Sequence, residues 1–312
     1  MSRLTERLSG ATLVFLGALF WSFNAPLIQF LTLPSILACG LRSLIAGIVL
    51  LFVARPKKWL WNRWILTYCL SYAALCFSVV LSLSLTSAPI AIGMQYTAAI
   101  WIFLFDVLIH RKFSWRRFLP VLLILIGVLL FMQSGLDDGS VLGNTIALTE
   151  GVFFTTMTLS ATKIHDVSSL ELTTTANLFT GLLLSVLFPS TMMKVTTLSG
   201  LEWGIMLFLG IVQIGLGYCF YNAGLKKTSP QKASILAIFE MILGPIWVMI
   251  FLHDIPQPKV LTGFAIILLG ILLNAFLSQN KENRPNIPPR KTLLPHDFKH
   301  PKGTTYTPSL RR

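Results

Sequence analysis

From Leu8 to Ser278 the chain is a succession of apolar runs, each about twenty residues long, joined by short polar connectors. A helix rises 1.5 Å per residue, so such a run crosses the roughly 30 Å of hydrocarbon in a bilayer. Within hydrocarbon every backbone N–H and C=O needs a partner inside the chain, and a helix supplies those partners from one segment. The pattern therefore predicts an all-α integral membrane fold. Charged residues make up 12% of the 312, against about 25% in a soluble domain, and mean hydropathy is +0.73. The runs predict ten transmembrane helices near 10–31, 34–54, 64–85, 88–109, 117–135, 141–162, 170–189, 203–224, 232–252 and 259–278. The first is too long for the apolar core of a signal peptide and lacks a following small-residue cleavage site, so it reads as a retained helix.

A formal charge of +13 would suggest nucleic acid in a soluble protein, but here its distribution sets topology instead. With the N-terminus cytoplasmic, 22 of the 25 Lys and Arg fall on that side. They cluster at Arg55–Arg63, at Arg111–Arg117, at Lys226, Lys227 and Lys232, and in a tail carrying eight. Only Lys194 and Lys259 fall outside, with Arg42 inside a span. Both termini are therefore expected in the cytoplasm, and shifting the helix count by one destroys the asymmetry. The tail from 281 to 312 is basic, proline-rich and aperiodic, which predicts disorder, either solvated or held near anionic lipid. Cys39, Cys69, Cys76 and Cys219 fall inside apolar runs without metal-ligand spacing, so neither a disulfide framework nor a metal site is expected.

The chain also aligns with itself. LSLSLTSAPIAI, around Thr86 and Ser87, matches AGLKKTSPQKASI, around Thr228 and Ser229, and the helices that follow share LLILIGVLLF and AIILLGILLNAF. Weaker matches place Gly10, Phe20 and Trp21 over Gly143, Phe153 and Phe154. The expected units are a five-helix repeat over 1–137, a second over 138–280, and the tail. Because five is odd, the second repeat is expected upside down relative to the first, an arrangement that exposes a shared midplane site to either side alternately. The competing explanation is that Leu, Ile and Gly make all apolar segments look alike.

At these residues the chain resembles the EamA-type families of the drug/metabolite transporter superfamily. The resemblance rests on Trp21 and Asn24 in GALFWSFNAPL, Arg42 opening LRSLIAGIVLL, the paired Thr-Ser entries, and Glu240 in FEMILGPIWVMIFLHDIPQP. Met241 and the turn HDIP depart from the family pattern. The resemblance implies ten helices in two inverted five-helix repeats, a central cavity, and transport or export of small metabolites such as amino acids.

Arg42, Asp106, Glu150 and Glu240 are the Asp, Glu, Lys and Arg residues that lie inside spans rather than in their first or last two positions, and a charge costs roughly 2.5–3.5 kcal/mol at a helix centre. Arg42 either binds a substrate carboxylate or clamps its helix through carbonyls or a buried pair. Glu150 and Glu240 either couple transport to protons or stand as protonated groups hydrogen-bonded between helices. Gly244 and Pro245 suggest a break in the ninth helix with free carbonyls beside Glu240, while Pro26 interrupts the first. Trp21 and Asn24 share one helical face, as do Gln95, Ala99, Ile102 and Asp106, and as do Gln213, Gly217, Phe220 and Gly224. Tyr218, Tyr221 and Asn222 lie close to the last set, so Gln95, Gln213, Tyr218 and Asn222 complete the candidates for a cavity suited to an amphipathic solute. Trp59, Trp61, Trp64 and Trp115 read as an interfacial belt.

No glycine-rich loop leads into a helix as a phosphate cradle, so an ATP-driven pump is not expected, nor any cofactor or nucleic-acid partner. The expected partners are a small-molecule substrate and the bilayer, with oligomeric state open. The alternative is an intramembrane enzyme or lipid-handling protein, yet HExxH, GxSxG and a paired His cluster are missing. The reading is a multi-pass secondary transporter of the cell membrane, a bacterial inner membrane in particular, exporting a metabolite by alternating access with proton coupling as one mode.

Overall fold

The computed structural model describes residues 8–55, 61–111, 113–138, 140–161, 163–165, 167–225, 227–228 and 230–282. The tail from 283 and the early cations Arg3 and Arg7 lie outside the described residues. The described residues are helical almost throughout. α1 runs in two pieces, Gly10–Ser22 and Asn24–Phe30; α2 is Ser35–Ala54, α3 Arg63–Leu85, and α4 again two pieces, Ala88–Gln95 and Ala98–His110. α5 is Trp115–Asp138, α6 Val141–Ala161 and α7 Ser169–Leu187. α8 comprises Gly200–Leu207, the π-helical Phe208–Leu216 and Gly217–Leu225; α9 is Pro230–Leu252 and α10 Pro258–Glu282.

The chain marks these ends with side chains that satisfy the first free N–H groups of a helix. Ser9 accepts from the Thr12 amide, and Asn62 from those of Trp64 and Ile65. Ser168 with Glu171 and Ser199 with Glu202 form two capping boxes. Among the described residues three helices end instead on a non-glycine residue with positive φ, at Arg55, Arg111 and His253 (φ 44°, 49° and 54°). The left-handed conformation costs an L-residue about 1–2 kcal/mol, which glycine avoids. His253→Gly is accordingly expected to raise the melting temperature in detergent by a few degrees, and an unchanged or lower value would reject strain at this turn.

Among the described residues eight helices are long and apolar enough to cross a membrane: Gly10–Phe30, Ser35–Ala54, Arg63–Leu85, Ala88–Ile109, Trp115–Leu136, Leu170–Leu187, Gly200–Tyr221 and Pro258–Leu277. α6, rich in Thr, Ser and Asn, is not among them, and the apolar stretch of α9 described as such is the shorter Ile238–Leu252. Trp61 and Trp115 are exposed, at 54% and 76%.

Three helix interiors depart from regular α-helix, the interruption of α1 being the one that Pro26 predicts and those of α4 and α8 unannounced in sequence. α1 breaks at Phe23, three residues before Pro26, whose missing N–H leaves the preceding turn unclosed. α4 breaks at Tyr96 and Thr97 with neither Pro nor Gly at the break; the Thr97 hydroxyl donates to Met94 O at 2.7 Å, and Ile100 N bonds back to Thr97 O at 2.8 Å. α8 contains the π segment. α9, conversely, is continuous through Gly244 and Pro245, which corrects the expected break. Proline removes a single hydrogen bond, and contacts next to it hold the axis: Trp247 donates to Ser22 Oγ at 2.9 Å and stacks on Phe23 at 5.4 Å.

The packing is reciprocal between the halves. α1 lies on α8 and α9, α6 on α3, α2 on α7, and α5 on α10. At Gly10 a Cβ would meet the Lys227 backbone at 2.7 Å, and at Gly143 it would meet the Leu85 backbone at 2.7 Å. Those are paired positions of the internal alignment. Gly127 likewise meets Ile267 and the Gly263 carbonyl, while Gly270 meets Ile124 and the Pro120 carbonyl. These contacts recur with the halves exchanged.

Candidate functional site

α8 organises the centre. Its π segment, FLGIVQIGL, is wider than an α-helix, a geometry frequent at functional sites. At Gly210 the backbone abuts Ile45 and the Arg42 carbonyl, and at Gly217 a Cβ would come within 2.6 Å of Trp21 Nε1. Between them, Gln213 is buried at 7% exposure. One stretch of α8 therefore faces both Arg42 on α2 and Trp21 on α1.

Arg42 is 3% exposed. Nη1 donates to Asn24 Oδ1, which the break in α1 presents from the following turn, and Nη2 donates to the Cys76 carbonyl at 3.5 Å. Both acceptors are uncharged. Arg42 Nε, Trp21 Nε1 and Gln213 Oε1 are buried and have no hydrogen-bond partner among the described residues. An unpaired buried polar group costs about 1–3 kcal/mol, so three on neighbouring helices call for an explanation.

Around them the aromatic residues converge. The Trp21 ring lies 4.8 Å from each of Tyr218 and Tyr221. Tyr218 also sits within electrostatic reach of Tyr68, Cys76 and Glu240, and Tyr96 of Glu240 and Tyr221. Tyr72 stacks beside Tyr68 at 6.3 Å and donates to Asn177 Oδ1 at 3.1 Å. Five of the six tyrosines thus gather in the interior, and Glu240, half-buried, faces three of them. Tyr218 and Tyr221 are expected here from their helical spacing, whereas Tyr68, Tyr72, Tyr96 and Trp247 join the site unannounced by any spacing argument. The signal was available: tyrosine belongs at membrane interfaces, and these stand within apolar runs.

The other candidates are placed apart. Gln95 lines a cavity of about 530 Å³ with Ala99 and Ile102, as its helical face predicts, together with Tyr96, Arg117 and Asn274. Glu150 is fully buried where α6 meets α3; Oε1 accepts from Ser82 Oγ at 2.7 Å and Oε2 has no partner among the described residues. Asn222 is on α8, but its side chain, like that of Asp106, lies outside the described residues.

The sequence profile of the EamA-like transporter family matches residues 8–133 and again residues 141–276. The chain belongs to the EamA-like transporter family. It is therefore a multi-pass membrane transporter built from two EamA repeats. Trp21 and Arg42 come from the first repeat and Gln213, Tyr218 and Glu240 from the second, so the unpaired atoms collect where the two EamA units meet. A crystal structure of a protein 18% identical to this EamA chain covers 86% of it and 98% of that chain, with a TM-score of 0.60, a likeness of fold alone. No curated protein matches the sequence.

Proposed function

We propose that this protein is a secondary transporter that exports a small metabolite such as an amino acid by alternating access between its two repeats. One observation carries the reading. Two donors without partners, Arg42 Nε and Trp21 Nε1, and one such acceptor, Gln213 Oε1, converge from both repeats. That set complements a carboxylate that also bears a hydrogen-bond donor. Arg42, held by neutral oxygens, retains charge for an anionic group, and the phenols around Glu240 offer an amphipathic wall for the rest of the solute.

In this reading α6 and α9 also cross, giving ten spans with both termini in the cytoplasm of a cell, in particular a bacterial, membrane. The support is the placement of 22 cations on one side. The reciprocal helix contacts support an inverted pair of repeats over 1–137 and 138–280, able to exchange conformations.

Purified protein in vesicles loaded with unlabelled amino acids is expected to give saturable counterflow of the labelled solute. Conversion of the solute without movement would overturn transport in favour of an intramembrane enzyme. Glu240 is assigned proton coupling, so Glu240→Gln is expected to keep counterflow yet abolish accumulation driven by a proton gradient. Unchanged pH dependence and accumulation in that variant would make Glu240 structural.

A further inference from the structure

A second cavity, of about 590 Å³, opens at the end of the bundle where α1 and α9 finish and α3 turns into α4. Its polar wall consists of Gln29, Thr32, Ser84, Thr86, Ser87 and Asp254, and among the described residues neither Lys nor Arg lines it. The Gln29 amide is oriented by its Nε2, which donates to the Thr86 carbonyl at 3.2 Å, so Oε1 is an acceptor. That oxygen and Ser87 Oγ are buried without partners among the described residues. Asp254 adds an acceptor of negative charge. Two of the hydroxyl donors on this wall are already used: that of Thr86 donates to Asn144 Oδ1 at 2.6 Å and that of Ser84 to Leu81 O at 2.8 Å; the Ser87 hydroxyl can accept from a ligand while its own proton turns to an oxygen such as Asp254. Ile28, Leu31, Leu83 and Leu252 supply an apolar side.

The cavity is thus rich in acceptors, carries one negative charge and is half apolar. We infer that it binds a primary alkylammonium group, whose three N–H donors are taken by Gln29 Oε1, Ser87 Oγ and Asp254 and whose carbon chain lies on the leucines. A calcium ion would ask for six to eight oxygens at about 2.3–2.6 Å, more than these three side chains offer, and would leave the apolar side unused. The ammonium belongs either to a free amine or to an ethanolamine lipid headgroup, which present the same chemistry.

The test is direct binding and does not depend on transport. Ser84, exposed on the cavity wall, is replaced in the full chain by cysteine as a reporter, and the unsubstituted protein supplies the background from its four native cysteines. In vesicles of phosphatidylcholine and phosphatidylglycerol, n-butylammonium is expected to slow maleimide labelling at least threefold and saturably, whereas butyrate has no effect. Adding Asp254→Asn is expected to raise the required concentration about tenfold, while labelling without amine proceeds at the parent rate, which reports an intact fold. Gln29→Met serves as the second variant and is expected to weaken the effect in the same direction. In vesicles containing phosphatidylethanolamine, slowing without added amine that Asp254→Asn relieves identifies the lipid as a source; its absence identifies the free amine. Equal slowing by butyrate, equal slowing in both variants, or no slowing in either vesicle would overturn the site.

Discussion

Arg42→Met is expected to lower counterflow at least a hundredfold while the protein stays folded. The two readings of this arginine predict different stabilities. Breaking a buried ion pair costs about 3–5 kcal/mol because a lone charge remains, and no carboxylate partner of Arg42 exists among the described residues. Methionine leaves behind only the Asn24 amide oxygen and one carbonyl, a cost of about 1–3 kcal/mol set against relief from a buried cation. Melting temperature in detergent should therefore change little while transport is lost. Arg42→Lys keeps the charge but not the planar fork and is expected to recover only a small part. Loss of folded protein in parallel with activity would instead make Arg42 a helix clamp.

Gly127→Val is expected to cost the folded protein itself. A Cβ at this position meets Ile267, whose side chain can shift, but also lies 2.7 Å from the Gly263 carbonyl, which is backbone. Relief requires α5 and α10 to separate along their whole crossing. Inserting bulk into a packed core costs about 1–3 kcal/mol, more when backbone must move, and a valine adds two further methyl groups at the same point. Gly270→Val, its counterpart, meets the Pro120 carbonyl at 2.9 Å and should fail similarly. Size-exclusion chromatography of detergent extracts reads the outcome; a monodisperse peak at the parent yield for Gly127→Val would show that the crossing tolerates expansion. A large loss in both variants would extend the internal symmetry from geometry to energetics.

The helices were legible because hydrocarbon acts on each segment by itself: a run of the required length must satisfy its own backbone, whatever it later touches. The repeat was legible where close approach demands glycine, at Gly127 and Gly270, because that demand falls on single positions. Arg42, Asn24 and Trp21 stood out because polar groups are costly in an apolar run. What they contact was not legible. The break in α4 has no Pro or Gly to announce it; Thr97 bonds its own turn, and Gly151 of α6 packs against that hydroxyl. The expected break in α9 did not form, since Trp247 and Ser22 bridge to α1 next to Pro245. Glu150 and Glu240 carry the same two alternatives in sequence, yet one is sealed against Ser82 and the other faces three phenols.

The sequence by itself determined that this chain enters a membrane, that its spans repeat, and which few polar residues it carries there, because burial in hydrocarbon is a cost paid residue by residue. Only the tertiary structure decided that Trp21, Arg42 and Gln213 come together with atoms left unpaired, since that depends on how α1, α2 and the π segment of α8 cross, and crossings are set by contacts between residues far apart in the chain.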